Sequence, residues 1–363
     1  MKKTSVVFLC ILIVNTLSAS ISFSGSARVR PRYDLKIYQE SNGDITQSGD
    51  LYFQYEAKLN IKADMGGGYF FNGQIAHNSL ANWSQMGDGK DLPSTSSDGS
   101  AQAPSIAFNE ISIGYRGEKT GYRLGRISYA HNTLLDIHYY PTKLLDIPFF
   151  IYNNNAFTGA ELTYNAGKHQ LKAAFSVDED RQEYEHCILD GLDSIAHDPS
   201  GYTAIAETAL RFDRITLNPG ILYSFGKEIS NPFTAGLRAQ YVYKGLTLKT
   251  EFAFSRSDQA ADLYRYNGII LRAEAKQKLG IGTLRFMYDH ASMKYTKYNG
   301  VDYGTPQAGI FHYTWLEYTI PVYKSDQGSV TLRPVWRHCF QNLDISGQIY
   351  KRHKIELFIQ YDF

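Results

Sequence analysis

Three arginines at alternate positions, Arg28, Arg30 and Arg32, are the residues of this 363-residue sequence best suited to handling a ligand. A guanidinium keeps its charge at any physiological pH and offers a planar fork of donors to carboxylate or phosphate oxygens. At every second residue of an extended chain, the three fall on one side and form a line of positive charge. Such a line is a ladder along which an anion passes from donor to donor. Lys36 continues it, and Arg126 is the further cation assigned to it. Glu56, Glu110 and Glu161 are acids of the same polar face, and Asp136 and Asp146 stand in a segment expected to oppose the ladder.

Covalent chemistry finds less support. Asp289-His290 suggests a hydrolase that activates water, but the second acidic pair such a mechanism needs is not evident. His312 has no assignable serine partner. His131 with His138, His186 with His197, and His338 with His353 show no metal-ligand spacing. Gly66-Gly67-Gly68 reads as a turn and not as a phosphate cradle. No catalytic residue, metal or cofactor is therefore expected.

The element that must hold the ladder runs from Ile21 to Ile37. Its odd positions, including Phe23, Val29, Tyr33 and Leu35, carry no polar side chain, whereas every even position is polar. Strict alternation of this length describes a strand with one apolar and one wet face, and Pro31 would break a helix. Leu51 to Asp64 alternates in the same way. Further alternating stretches follow, joined by a rhythm of long connection and short turn, with tight turns at Gly66 to Gly68, Asp213-Arg214, Lys244-Gly245 and Gly280-Ile281. The tally is about sixteen strands in one all-β domain over residues 21–363, a transmembrane up-and-down antiparallel β-barrel with lipid outside and a hydrated lumen within. Parity also places Arg333, Lys354 and Glu356 inside. Pro31, Pro219 and Pro334 fall within strands and each removes a ladder donor.

Composition agrees. A formal net charge of +1 argues against nucleic-acid binding. The 28 Tyr and 20 Phe suit the aromatic girdles of a membrane barrel. Residues 1–20 read as a cleaved signal peptide: Lys2-Lys3, a nine-residue apolar core from Val6 to Val14, then small residues. That core is too short for a membrane helix, which needs ~20 residues. Cys187 and Cys339 are both assigned to the outer rim and expected to be unpaired.

Ala130 to Asn155, after the fifth strand, is long for a loop and too apolar to be solvated, with Leu134, Leu135, Ile137, Leu144, Leu145 and Ile147 in need of burial. It is expected to fold into the lumen and turn Asp136 and Asp146 toward the opening. Acids facing arginines across a channel set a transverse field that favours polar solutes.

The signal peptide, alternating strands, loop rhythm, inserted segment and C-terminal Ile359-Gln360-Tyr361-Asp362-Phe363 together resemble a Gram-negative outer-membrane porin. Tyr122-Arg123-Leu124-Gly125-Arg126 and Ala156-Phe157-Thr158-Gly159-Ala160-Glu161 are similar to carbohydrate and alginate-export porins. The resemblance implies passive diffusion of small hydrophilic solutes across the outer membrane, often by a homotrimer. It also implies contact with lipid and lipopolysaccharide, and assembly by outer-membrane machinery that reads Phe363. The basic run suggests anionic or carboxylated solutes. Two other classes stand beside this one: an adhesin or structural barrel acting through external loops such as Asn78 to Ser105 and Asp178 to Asp198, and an outer-membrane hydrolase.

Overall fold

The computed structural model describes residues 20–77, 84–86, 106–128, 156–177, 202–226, 232–257, 266–295, 309–343 and 347–363. These form seventeen strands and no helix: β1 Ser20–Gln39, β2 Ile45–Gly66, β3 Tyr69–His77, β4 Ser84–Met86, β5 Ile106–Arg116, β6 Thr120–Ser128, β7 Ala156–Ala166, β8 His169–Val177, β9 Tyr202–Arg211, β10 Ile215–Phe225, β11 Pro232–Tyr243, β12 Leu246–Ser257, β13 Tyr266–Leu279, β14 Gly282–Tyr295, β15 Gly309–Ser325, β16 Gly328–Leu343 and β17 Gln348–Asp362. Sixteen of them pair antiparallel with both neighbours, and β17 returns to β1, so the sheet closes on itself. The exception is β4, a three-residue strand that pairs only with Phe53 to Tyr55 of β2, beyond the reach of the shorter β3. Strand β2 starts at Ile45, so most of the polar stretch Ser41 to Asp50 belongs to the strand.

Local chemistry explains the hairpins. Gly66, Gly67 and Gly68 all have positive φ, a run that side chains with a Cβ resist. Lys244-Gly245, at φ 44° and 81°, makes the two-residue turn whose twist matches that of the flanking strands.

The alternation seen in β1 sorts its side chains as a membrane barrel requires. Phe23 is 64% exposed on the outer face, whereas Arg30 and Arg32 retain 3% and 2% on the inner one. Parity is reset once in β5: Gln74 pairs with Glu110 but Ile75 with Phe108, a one-residue bulge. Phe108 is therefore exposed on the outside although Glu110 and the buried Ser112 face in.

Pro31, Pro219 and Pro334 are accommodated without a change of register, whereas Pro321 of β15 stands at a register shift against β16. Pro31 keeps its pairing with Phe53 of β2, while the β1–β17 ladder steps from Val29↔Ile359 to Arg32↔Glu356. Pro219 likewise keeps Leu237 of β11 and interrupts the ladder to β9. Pro334 keeps Leu357 of β17 and interrupts the ladder to β15. Each proline thus turns its missing N–H toward one neighbour only, and the other ladder runs on.

The last residue completes the ring. Gly25 N–H donates to the Phe363 carbonyl at 2.8 Å, and Phe363 N–H returns a bond to Gly25 at 3.1 Å. A Cβ on Gly25 would stand 2.5 Å from both the Lys58 carbonyl oxygen and the Phe363 ring. Gly25→Val should therefore lower the fraction of chain that closes into a compact, detergent-resistant barrel, read as heat-modifiable gel mobility. Wild-type mobility and yield in that variant would contradict a tight seam at Gly25.

Candidate functional site

Strands β16, β17, β1 and β2 are consecutive around the ring, and their inner face carries the densest charge among the described residues. Glu356 of β17 lies at its centre. Its Oε1 is 3.3 Å from Arg30 Nη1 and also meets Arg32 Nε, and its Oε2 is 2.6 Å from Arg337 Nε. Asp34 takes both arms of Arg352, with Nε donating to Oδ1 at 2.6 Å and Nη2 reaching Oδ2, while Lys354 Nζ stands 3.8 Å away. Glu56 lies 3.3 Å from Arg28 Nη1 and 2.5 Å from Lys58 Nζ.

Polar and aromatic neighbours fix these cations in place. Arg30 Nε donates to Gln54 Oε1 at 2.7 Å, Arg32 Nη1 donates to the Tyr52 hydroxyl at 3.1 Å, and that hydroxyl donates to Asp34 at 2.9 Å. The buried Phe358 ring has the guanidinium carbons of Arg30, Arg333 and Arg337 at 5.1, 5.0 and 5.7 Å from its centroid. Arg337 also lies 3.7 Å above Trp315. A ring face carries negative charge density, so each guanidinium gains a further stabilising contact without a further acid.

Seven cations in this wall, Arg28, Arg30, Arg32, Lys58, Arg337, Arg352 and Lys354, thus share three carboxylates, Glu56, Asp34 and Glu356. The local balance is positive even with all of these pairs made. In a low-dielectric wall such an excess projects a field into the space it borders.

The expected site residues are distributed as follows. Arg28, Arg30, Arg32 and Glu56 stand together in this wall. Lys36 shares their strand and parity, opposite Arg352 of β17. Glu110 and Glu161 belong to a different part of the ring, where Arg123 donates to Glu161 from Nε at 3.0 Å and from Nη2 at 2.9 Å, and lies 3.9 Å from Glu110. Arg126 does not join the ladder. Alternation continues through Gly125, so that Arg123 and the buried Ile127 share the inner side. Arg126 lies opposite the exposed Ile111, on the outer parity of Tyr122 and Leu124. Asp136, Asp146 and the whole inserted segment lie outside the described residues, as do Cys187 and the signal peptide to Ala19. Cys339, four residues before the end of β16, is buried on the inner face beside Met287 and Tyr313.

Alternation extends the inner face to Arg337 and Arg352, two cations not among those expected. Parity carried four residues on from Arg333 along β16 and two back from Lys354 along β17 identifies both. The inner charges of β12 to β14 are interlinked as well: Arg272 is bidentate on Asp289 at 2.7 and 2.9 Å, and Glu274 takes Arg285 at 2.9 Å with Lys276 and Lys249 at 3.2 and 3.8 Å. The Asp289–Arg272 pair separates Asp289 from His290, which points to the opposite face of β14. The two cannot act as a dyad.

No protein-family model matches the chain, and no curated protein matches it in sequence. Solved structures do match in fold. An anion-selective porin from Comamonas acidovorans superposes with TM-score 0.57 at 14% identity, over 95% of this chain and all of the other. OmpT of Vibrio cholerae, an outer membrane protein described in trimer form, gives 0.56 at 8% identity over 95% and 99%. The outer membrane channel DcaP of Acinetobacter baumannii gives 0.55 at 10% over 95% and 97%. The fold is that of the outer-membrane porins.

Glu356 is the test of the wall's internal logic. Removing one charge from a buried ionic cluster leaves its partners uncompensated and costs roughly 3–5 kcal/mol. Glu356→Gln should lower the urea midpoint of the refolded barrel correspondingly. Glu118→Gln, in a turn, should leave it unchanged. Equal midpoints for the two variants would contradict Glu356 as the shared counter-charge.

Proposed function

We propose that this chain is an outer-membrane channel through which small hydrophilic solutes diffuse passively, with a preference for anionic or carboxylated ones. The fold supports the channel: a closed ring with its apolar side chains outward and its charges inward is stable only between lipid and a polar interior. The cation excess on β16, β17, β1 and β2 supports the sign of the preference, and it is the observation that carries this reading. One of the proteins similar in fold is itself described as anion-selective. The same reading places the chain in the outer membrane after export by residues 1–20, surrounded by lipid and lipopolysaccharide, with Phe363 recognised during assembly and a homotrimer as the assembled form.

In mechanism, the ladder works as a set of fixed charges and not as mobile arms. Each guanidinium is anchored by a carboxylate or amide, so a passing anion meets a positive potential without reorganising the wall. A carboxylate solute exchanges part of its hydration for this potential and leaves because no single site binds it tightly.

In planar bilayers under a salt gradient, wild type should give a reversal potential on the anion side. R28A/R30A/R32A should move it toward cations. Because that variant strips two partners from Glu356, R28K/R30K/R32K provides the folded control and should keep the wild-type sign. Liposome swelling should run faster with a monocarboxylate sugar acid than with the neutral sugar of the same size. Equal reversal potentials in the alanine variant and wild type would contradict the charge ladder, and failure of all polar solutes to enter liposomes would contradict the channel.

A further inference from the structure

The outer face of β14 to β17 carries a row of four histidines that transport through the interior does not use. Register, and not sequence spacing, brings them together. His290 lies directly opposite His312, and His338 directly opposite His353. The ring centroids are 4.9 Å apart in the first pair and 4.5 Å in the second. All four occupy outward parity: the inward neighbours Asp289, Tyr313, Arg337, Cys339, Arg352 and Lys354 are buried on the other side of the wall.

The two pairs differ in what their ring nitrogens do. His312 Nδ1 is engaged by the Tyr288 hydroxyl at 2.6 Å. In the second pair the two Nδ1 atoms face each other, 3.4 Å apart. Zinc holds imidazole nitrogens at about 2.0–2.1 Å in tetrahedral geometry, which sets two of its ligand nitrogens about 3.3–3.4 Å apart. A metal at that spacing replaces the single proton that the two nitrogens otherwise share. Strand pairing holds the backbones at fixed separation, so little ordering is left for the ion to impose.

We propose that His338 and His353 form a two-histidine site for a divalent transition cation of the zinc, copper or nickel class on the outer wall of the barrel. Imidazole suits these ions, whereas calcium and magnesium prefer oxygen. No set of three metal-ligating side chains converges among the described residues; His338 and His353 each lie five residues from the β16–β17 connection, and water entering from that end of the wall completes the coordination. Lys351 is the charged neighbour on this face. It is opposite Phe340 with its ammonium 6.0 Å from that ring, and it lowers affinity without occupying the nitrogens. A bound ion ties β16 to β17 from outside, in a stretch of wall where Pro334 has already interrupted the ladder to β15.

Trp336 reports on the site because its ring stacks 6.2 Å from His338. With the full chain refolded in detergent and phosphate-free buffer, Cu²⁺ should quench tryptophan fluorescence saturably. Zn²⁺ should compete, EDTA should reverse the quenching, and Mg²⁺ should have no effect. H338Q and H353Q should each weaken binding by at least ~10-fold, since a chelate then becomes a single ligand. H290Q should bind as wild type, and W336F should lose most of the saturable quenching while retaining the calorimetric titration. Equal affinity in wild type, H338Q and H353Q, or an equal loss in H290Q, would overturn the assignment. Should a variant fail to fold, carbethoxylation of the wild-type histidines mapped by mass spectrometry decides instead. Zn²⁺ should protect His338 and His353, and modification unchanged by Zn²⁺ would overturn the site.

Discussion

A peptide group in hydrocarbon has no water to bond, so a sheet that crosses a membrane tolerates no open edge. In this chain the constraint is met where β17 returns to β1. Gly25 and Phe363 exchange backbone hydrogen bonds, and the ladder then climbs from Ser26↔Asp362 to Gln39↔Ile349. Once the ring is closed, alternation becomes compulsory, because each strand has only lipid on one side and interior on the other. The prolines show how far the rule bends. Pro31, Pro219 and Pro334 each interrupt one ladder for two residues and leave the opposite ladder and the register intact, whereas the β15–β16 register shifts after Pro321. Pro31 and Pro334 both border β17 near Leu357, and the ladders they interrupt are β1–β17 and β15–β16 respectively.

The inner charges are at once a structural lattice and a field. Across β12 to β14, Arg272 bidentate on Asp289 and Glu274 shared by Lys249, Lys276 and Arg285 join neighbouring strands. Around Glu356 one carboxylate serves three arginines, with Phe358 and Trp315 supplying ring faces. Sharing an acid among several cations holds like charges together and leaves their sum positive. Lattice and ladder are therefore the same residues, and what distinguishes the cationic wall is the ratio of cations to acids, not the presence of pairs. The inward charges and the outward histidine row occupy opposite faces of the same strands, which lets the two act independently.

Much of this was legible in the sequence because the side-chain period of a strand is two and needs no partner to be recognised. Phe23, Val29 and Arg30 sort to the expected faces, and the turns at Gly66 to Gly68, Lys244-Gly245 and Gly280-Ile281 fall where glycine requires. What sequence hides is whatever depends on the neighbouring strand. The bulge between Gln74 and Ile75 has no local signature, yet it sends Phe108 outward on the parity of Glu110. Glycine at Gly125 obscures the parity of Arg126, and only pairing with Ile111 resolves it. That Glu356 meets Arg30, Arg32 and Arg337 is likewise a matter of register. So is the meeting of His338 with His353, which their separation along the chain does not suggest. Strand β4 has no sequence signature, because three residues are too few to show a period.

The claim underlying the rest is that side chains two apart share a face, with lipid outside and charge within. Single cysteines placed through residues 27–34 of an otherwise cysteine-free chain, spin-labelled in lipid vesicles, test it directly. The account predicts that labels at 27, 29, 31 and 33 collide with membrane-dissolved oxygen, whereas those at 28, 30, 32 and 34 are shielded from it. Oxygen accessibility without a two-residue period, or with the opposite phase, would contradict it.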